Sequence, residues 1–265
     1  MTEASLLQQI DNAGVATLTL NRPEIHNAFD EVLIRELSAS LAALDMQENV
    51  RVVVLAAKGE SFSAGADLNW MKRMASYSEA DNRKDAGTLA RLMYTLSHLR
   101  KPTIARVQGN AFGGGVGLIA ACDIAVVAEA AQFALSEARL GLIPAVISPY
   151  VIAAMGERAA RRYFLTGERF SANQALKYGL AHEIAPFDQL DNKVEKIIHS
   201  LLECGPSAQA ASKVLIQRIK RGGDDEAVME YTVERIAKVR ASAEGQEGIS
   251  AFLEKRAPKW LAKKG

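Results

Sequence analysis

The sequence predicts an α/β fold, with a repeated strand–turn–helix core over residues 1–190 and a helical C-terminal region over residues 191–265. Three observations predict it. Apolar stretches of strand length alternate with helical patterns as far as residue 190, and beyond it the pattern is helical alone. Residues 59–68 (GESFSAGADL) can be laid without a gap over residues 109–118 (GNAFGGGVGL). Gly, Phe, Gly and Leu coincide at the same four places, as a spiral of repeated units would give.

Residues 15–21 (VATLTLN) alternate apolar and polar in their second half, a strand pattern that Arg22–Pro23 ends. Asp30 can cap a helix running to about Leu44, because Leu33, Ile34, Leu37, Leu41 and Leu44 recur on one face. Residues 50–56 (VRVVVLA) are nearly all apolar, as a strand buried on both faces would be. Ser78 can cap a helix whose stripe is Leu89, Leu92, Leu96 and Leu99, and Pro102 ends it. Short strands follow at residues 104–107 and 124–128. Ser171 opens another helix, closed by Tyr178–Gly179. From Leu190 onward the helical pattern breaks only at Gly205–Pro206 and Gly222–Gly223.

The composition narrows the function. Of 265 residues, 49% are apolar and 24% charged, which is ordinary globular composition. A net charge of +1 gives no strong attraction to nucleic acid or an anionic membrane. The two cysteines, Cys122 and Cys204, are expected to be reduced, as in a cytosolic protein. No Cys/His cluster has metal-ligand spacing, so no metal is expected. The first residues have no basic segment followed by an apolar one, and no apolar run nears the roughly 20 residues of a membrane span. The expected location is the cytoplasm.

The two glycine-rich turns carry the chemistry. A turn rich in Gly and Ala before a helix exposes backbone N–H groups, and the first N–H groups of a helix have no internal partner. Two such turns can each aim one N–H at a single oxygen, which makes an oxyanion hole. Tight strand–helix packing explains the glycines of either turn alone equally well. Gly115-x-Gly117-x-x-Ala120 also fits the spelling of a dinucleotide loop, although it lies far from the N-terminus and no Lys-Ser/Thr accompanies it.

Taken in order, the motifs resemble those of the crotonase (enoyl-CoA hydratase/isomerase) family. They are LNRP with Asn27–Ala28, FSAGADL at 62–68, GNAFGGG at 109–115 running to Cys122–Asp123, and Phe133 to Glu137. Leu165-Thr-Gly167, Ala172, Ala175, Gly179–Leu180 and GISAFLEKR at 248–256 complete the set. The resemblance spans nearly the whole chain. It implies a crotonase-like spiral of ββα units, followed by helices that build trimers, often paired into hexamers. It implies an acyl-CoA thioester as partner, with coenzyme A entering as part of the substrate and no separate cofactor. The oxyanion donors map to the N–H groups of Ala66 and Gly114. CoA contacts map to the same turns, at Ala64, Gly65, Asp67, Leu68 and Gly113, and to Phe252 and Lys255 reaching a neighbouring subunit.

Hydratases of this family commonly carry two glutamates. Here the first position is Gly117 and the second is Glu137, and the usual Pro-Gly-x-Gly-Gly stretch reads Pro144-Ala-Val-Ile-Ser148-Pro149. Glu137 lies in a mostly apolar stretch, where it is a general acid/base with a raised pKa, a helix-start carboxylate, or a partner for Arg139. One carboxylate suffices for hydration on one face, and equally for moving a double bond. AGADLNWM, FGGGVGL and LGLIPAVISPYV further resemble bacterial hydratases of branched glutaconyl-CoA thioesters, in which glycine replaces the first acid. The extra carboxylate of such a substrate needs a cation, for which Lys72, Arg73 and Arg139 are candidates. The alternatives are an isomerase using one glutamate and a non-catalytic acyl-CoA binder.

Overall fold

A computed structural model describes residues 4–261, so the ends of both expected regions, residues 1–3 and 262–265, lie outside the described residues. The chain opens with β1 (Leu6–Ile10) and β2 (Val15–Leu20), then α1 (Glu31–Met46). Three units follow, each a strand of one sheet and then a strand of the other. They are β3 (Val52–Ala57) and β4 (Ser61–Ser63) with α2 (Leu68–Met74) and α3 (Glu79–His98), then β5 (Thr103–Val107) and β6 (Asn110–Phe112) with α4 (Gly114–Ala121). The third is β7 (Ile124–Ala128) and β8 (Gln132–Ala134) with α5 (Ser148–Thr166). After them come β9 (Arg169–Ser171), α6 (Ala172–Tyr178), β10 (Glu183–Ala185), α7 (Leu190–Glu203), α8 (Pro206–Lys220), α9 (Asp225–Arg240) and α10 (Ala243–Leu253).

The large sheet has the order β1-β2-β3-β5-β7-β10 and the small one β4-β6-β8-β9. Both advance together, which gives the ββα spiral that the family resemblance implies; the second strand of each unit is added to the strand–turn–helix repeat read from the residues. All neighbours are parallel except β1–β2 and β8–β9. β3 is buried on both faces, as its unbroken apolar run predicts: Val53 and Leu55 join the main core, and Val52 and Val54 join a second cluster with Leu190 and Val194 of α7. Thus α7 covers the back of the large sheet, and the helices beyond that cover are α8, α9 and α10.

The expected caps are present. The Asp30 carboxylate accepts from the Leu33 N–H at 2.9 Å, and Ser78 and Ser171 form reciprocal capping boxes with Asp81 and Gln174. The gapless overlay of the two glycine turns needs correcting. Ser61 pairs with Asn110, but Ser63 pairs with Ala111, because the strand is irregular between Ser61 and Ser63. Four residues, Ala64 to Asp67, then separate β4 from α2, whereas Gly113 alone separates β6 from α4. The turns are equivalent in place and unequal in length.

The C-terminal helices differ from the rest. Neither α8 nor α9 has a buried residue, and α10 has only Ala251. A cavity of about 640 Å³ opens between them, lined by Leu215, Ile236, Val239, Ile249 and Trp260 among others.

Candidate active site

Three neighbouring parallel strands of the small sheet, β4, β6 and β8, end at one place, and each delivers one part of the site. β4 leads into the turn bearing Ala66, β6 into the turn bearing Gly113 and Gly114, and β8 runs to Glu137.

The first turn is fixed by the segment before α1. The Ala64 N–H donates to His26 O at 2.9 Å, the Phe29 N–H to Gly65 O at 2.7 Å, and the Asp67 N–H to Phe29 O at 2.7 Å. Asn27 anchors this segment from a fully buried position at φ 52°, a left-handed conformation that asparagine tolerates better than most residues. Its Nδ2 donates to the carbonyls of Lys58 and Ser61, both at 2.8 Å, and its own carbonyl accepts from Ser63 Oγ at 2.8 Å. The pairing of Phe29 with Ala66 is a single parallel bridge, in which the bonds run through Gly65 and Asp67. The Ala66 N–H therefore points away from Phe29.

The second turn is held by the Gly113 N–H, which donates to Ala134 O on β8 at 2.9 Å. Gly113 has φ 49° and precedes the first turn of α4. Gly114 is the first residue of that helix, so its N–H has no intrahelical partner. Among the described residues neither the Ala66 nor the Gly114 N–H has an acceptor. The turns touch: a Cβ on Gly65 would lie 3.1 Å from Phe112 O and 4.0 Å from Gly113 Cα. Two amides without an acceptor thus lie in turns that touch one another.

Glu137 opens a 3-10 turn three residues after β8. Its Oε1 lies 3.1 Å from where a Gly113 Cβ would stand, and its Oε2 is buried without a hydrogen-bond partner. Burial raises the pKa of this carboxyl, with its own backbone N–H drawing it partly back. The carboxyl, with one buried oxygen unpartnered, thus lies against the Gly113 turn.

Position 117 has no room for a second acid. A Cβ on buried Gly117 would overlap Ile147 Cγ2, and would stand 2.8 Å from Ile147 Cβ and 3.3 Å from Met93 Cε. Ile147 belongs to the altered 144–149 stretch, so the missing acid and the changed loop are two sides of one contact. Ser148 begins α5, and its hydroxyl donates locally to Ala145 O at 2.8 Å.

The other expected residues are distributed as follows. The Asp67 side chain caps α2, accepting from Asn69 N at 2.7 Å and Trp70 N at 3.1 Å, and faces Arg22 at 3.4 Å. Leu68 projects into solvent. Phe252 is 82% exposed on α10, which packs on α8 and α9, and Lys255 follows that helix at φ 53°. Of the candidate cations, Arg73 is held by both Glu31 oxygens at 2.7 Å. Lys72 and Arg139 form no ion pair among the described residues, and Arg139 lies against Gly167. Sequence reasoning missed Phe29 and Ile147. The LNRP…NA motif pointed to the neighbourhood of Phe29, and the altered 144–149 stretch to that of Ile147, but neither contact with a glycine could be read from spacing.

Among the described residues no group of His, Cys, Asp or Glu could hold a metal ion, and no helix is long and apolar enough to cross a membrane.

The model of the enoyl-CoA hydratase/isomerase family matches residues 11–263. A crystal structure of an enoyl-CoA hydratase from Shewanella pealeana is 49% identical, with a TM-score of 0.94 over 97% of this chain and 96% of that one. One of an enoyl-CoA hydratase from Mycobacterium smegmatis is 35% identical, with a TM-score of 0.92 over 98% and 100%. The mitochondrial enoyl-CoA hydratase of Pongo abelii is 32% identical over 92% of this chain and 83% of its own length.

Proposed function

Because the chain belongs to the enoyl-CoA hydratase/isomerase family, we propose that it adds water across the α,β double bond of an acyl-CoA thioester, with a branched glutaconyl-CoA such as methylglutaconyl-CoA as substrate. The observation that carries this reading is the Glu137 carboxyl, half-buried with Oε2 unpartnered, beside two amides that have no acceptor.

The thioester oxygen lies between the Ala66 and Gly114 N–H groups. Glu137, ionised, takes a proton from water as the water oxygen bonds to the β-carbon. The double-bond electrons move toward the thioester oxygen, where the two N–H groups meet the charge of the enolate. Glu137 then returns a proton to the α-carbon on the same face. No cofactor enters this scheme, since coenzyme A arrives as part of the substrate. The choice of a glutaconyl chain rests on the resemblance of three sequence stretches.

A second reading is favoured by Gly117. With Ile147 filling that place, one carboxylate serves the site, and one carboxylate can move a proton from the α- to the γ-carbon as an isomerase does. A binder of acyl-CoA without turnover is a third outcome. One experiment separates them: ultraviolet absorbance and product mass with methylglutaconyl-CoA and crotonyl-CoA. Hydration adds the mass of water, isomerisation leaves the mass unchanged, and silence with both substrates overturns the hydratase reading. Glu137→Gln is expected to abolish hydration while acyl-CoA binding survives, and undiminished turnover would show that Glu137 is misassigned.

We further place the chain in a cytoplasmic homotrimer or hexamer assembled through α8, α9 and α10. The apolar residues that these helices leave exposed, among them Met229, Val233 and Ile249, support that reading.

A further inference from the structure

Phe29 touches both halves of the oxyanion hole, by different means. Its main chain bonds on either side of Ala66, through Gly65 O and the Asp67 N–H, each at 2.7 Å. Its ring lies under the other donor: a Cβ on Gly114 would stand 2.7 Å from Phe29 Cε2 and 3.0 Å from Cδ2. The residue is 2% exposed and packs in the main core, so the ring is not free to yield. Moving Phe29 therefore moves one amide through hydrogen bonds and the other through contact.

We propose that Phe29 is the positioning residue of this site, a gauge that sets the separation of the Ala66 and Gly114 amides. This rests on the assignment of those two amides as oxyanion donors. Phe29 touches no reacting atom and acts only through the two turns. Its backbone bonds do not depend on side-chain identity, so the ring is the part that a substitution can test. A shorter, flexible side chain keeps the bridge to Ala66 and removes the stop behind Gly114. The charge that develops on the thioester oxygen then meets one well-placed donor. Loss of one such donor typically costs about 10²–10³ in kcat, and partial misplacement costs less.

The test uses the full-length protein and two probes. Acetoacetyl-CoA can bind as an enolate, which has its own ultraviolet band, and butyryl-CoA has no such charge. Phe29→Leu is expected to weaken enolate binding at least tenfold while butyryl-CoA binding changes by less than about threefold. If the two affinities fall together, or neither falls, Phe29 is a core residue only and the proposal is overturned. Gly114→Ala supplies the second arm, because its Cβ collides with the ring. Its defect should be smaller in the Phe29→Leu background than alone, whereas additive effects would show that ring and glycine are uncoupled. Should Phe29→Leu fail to fold, Phe29→Met keeps an unbranched side chain in the same place and is read identically. None of these measurements needs turnover. A protein that hydrates nothing but binds the enolate selectively would sink the functional proposal and leave this one standing.

Discussion

Glu137 Oε1 lies 3.1 Å from the point at which a side chain on Gly113 would begin. Position 113 must be glycine for two reasons. Its φ of 49° disfavours any Cβ, and that Cβ would press on the carboxyl proposed to handle the proton. Gly113→Ala is therefore expected to cost about 1–3 kcal/mol of stability through backbone conformation. It should also lower kcat by more than tenfold, because both Glu137 and the neighbouring Gly114 amide shift. Denaturant unfolding and steady-state kinetics on the same preparation check the two effects separately. A stable protein with unchanged kcat would mean that the carboxyl rotates away freely.

Burial raises the Glu137 pKa, and the sign of the consequence follows from linkage. Below the unfolded-state pKa, about 4.3, the group is protonated in both states and costs nothing. As pH rises through the higher folded-state pKa, the native protein must ionise a buried, partly unpartnered group, and stability is lost. Glu137→Gln should thus melt higher than wild type at about pH 8 and no higher at about pH 4. Thermal melts at the two pH values decide it. Activity has its own signature: the ionised form acts as base, so the acid limb of kcat/KM should lie above the ordinary carboxylate range.

Gly117 and Ile147 occupy one volume, so neither can be enlarged alone. Gly117→Glu forces a side chain into Ile147 and Met93 and buries a charge, which together should cost about 3 kcal/mol or more. Gly117→Glu with Ile147→Gly should recover a substantial part of that loss. The quantity to measure is the coupling in a double-mutant cycle of unfolding free energies. Independent effects would show that Ile147 moves aside without cost and that the second acid was lost for another reason.

The long elements were legible because each carries many periodic residues with a chemical stop at each end. α1 begins at the Asp30 cap and buries the predicted Leu33, Ile34, Leu37, Leu41 and Leu44. The strands of the small sheet are three residues each, too short for alternation to register, and none was foreseen as a strand. α5 was missed for a related reason. Pro149 near its start and Gly156 at φ 76° within it interrupt the pattern that a periodicity search needs. At the candidate site, Ala66, Gly114 and Glu137 could be nominated because motifs mark them. Phe29 and Ile147 could not, since each matters through a contact with a glycine distant in sequence.

The C-terminal helices supply the last test. Ile236 and Ile249 line the cavity between α8, α9 and α10, and each is 47% exposed in the single chain. Helices with almost no buried residue gain little from packing on their own chain, at roughly 25 cal/mol per Å² of apolar surface covered. Covering that surface with a second copy is what the proposed trimer would accomplish. A carboxylate introduced at this surface would then be desolvated on assembly, at a cost of several kcal/mol. Ile236→Asp and Ile249→Asp should each shift the mass measured by sedimentation toward that of a single chain, while the ββα core keeps its far-ultraviolet circular dichroism. If both variants sediment as wild type does, the contact between copies lies elsewhere, and the apolar face on these helices needs another occupant.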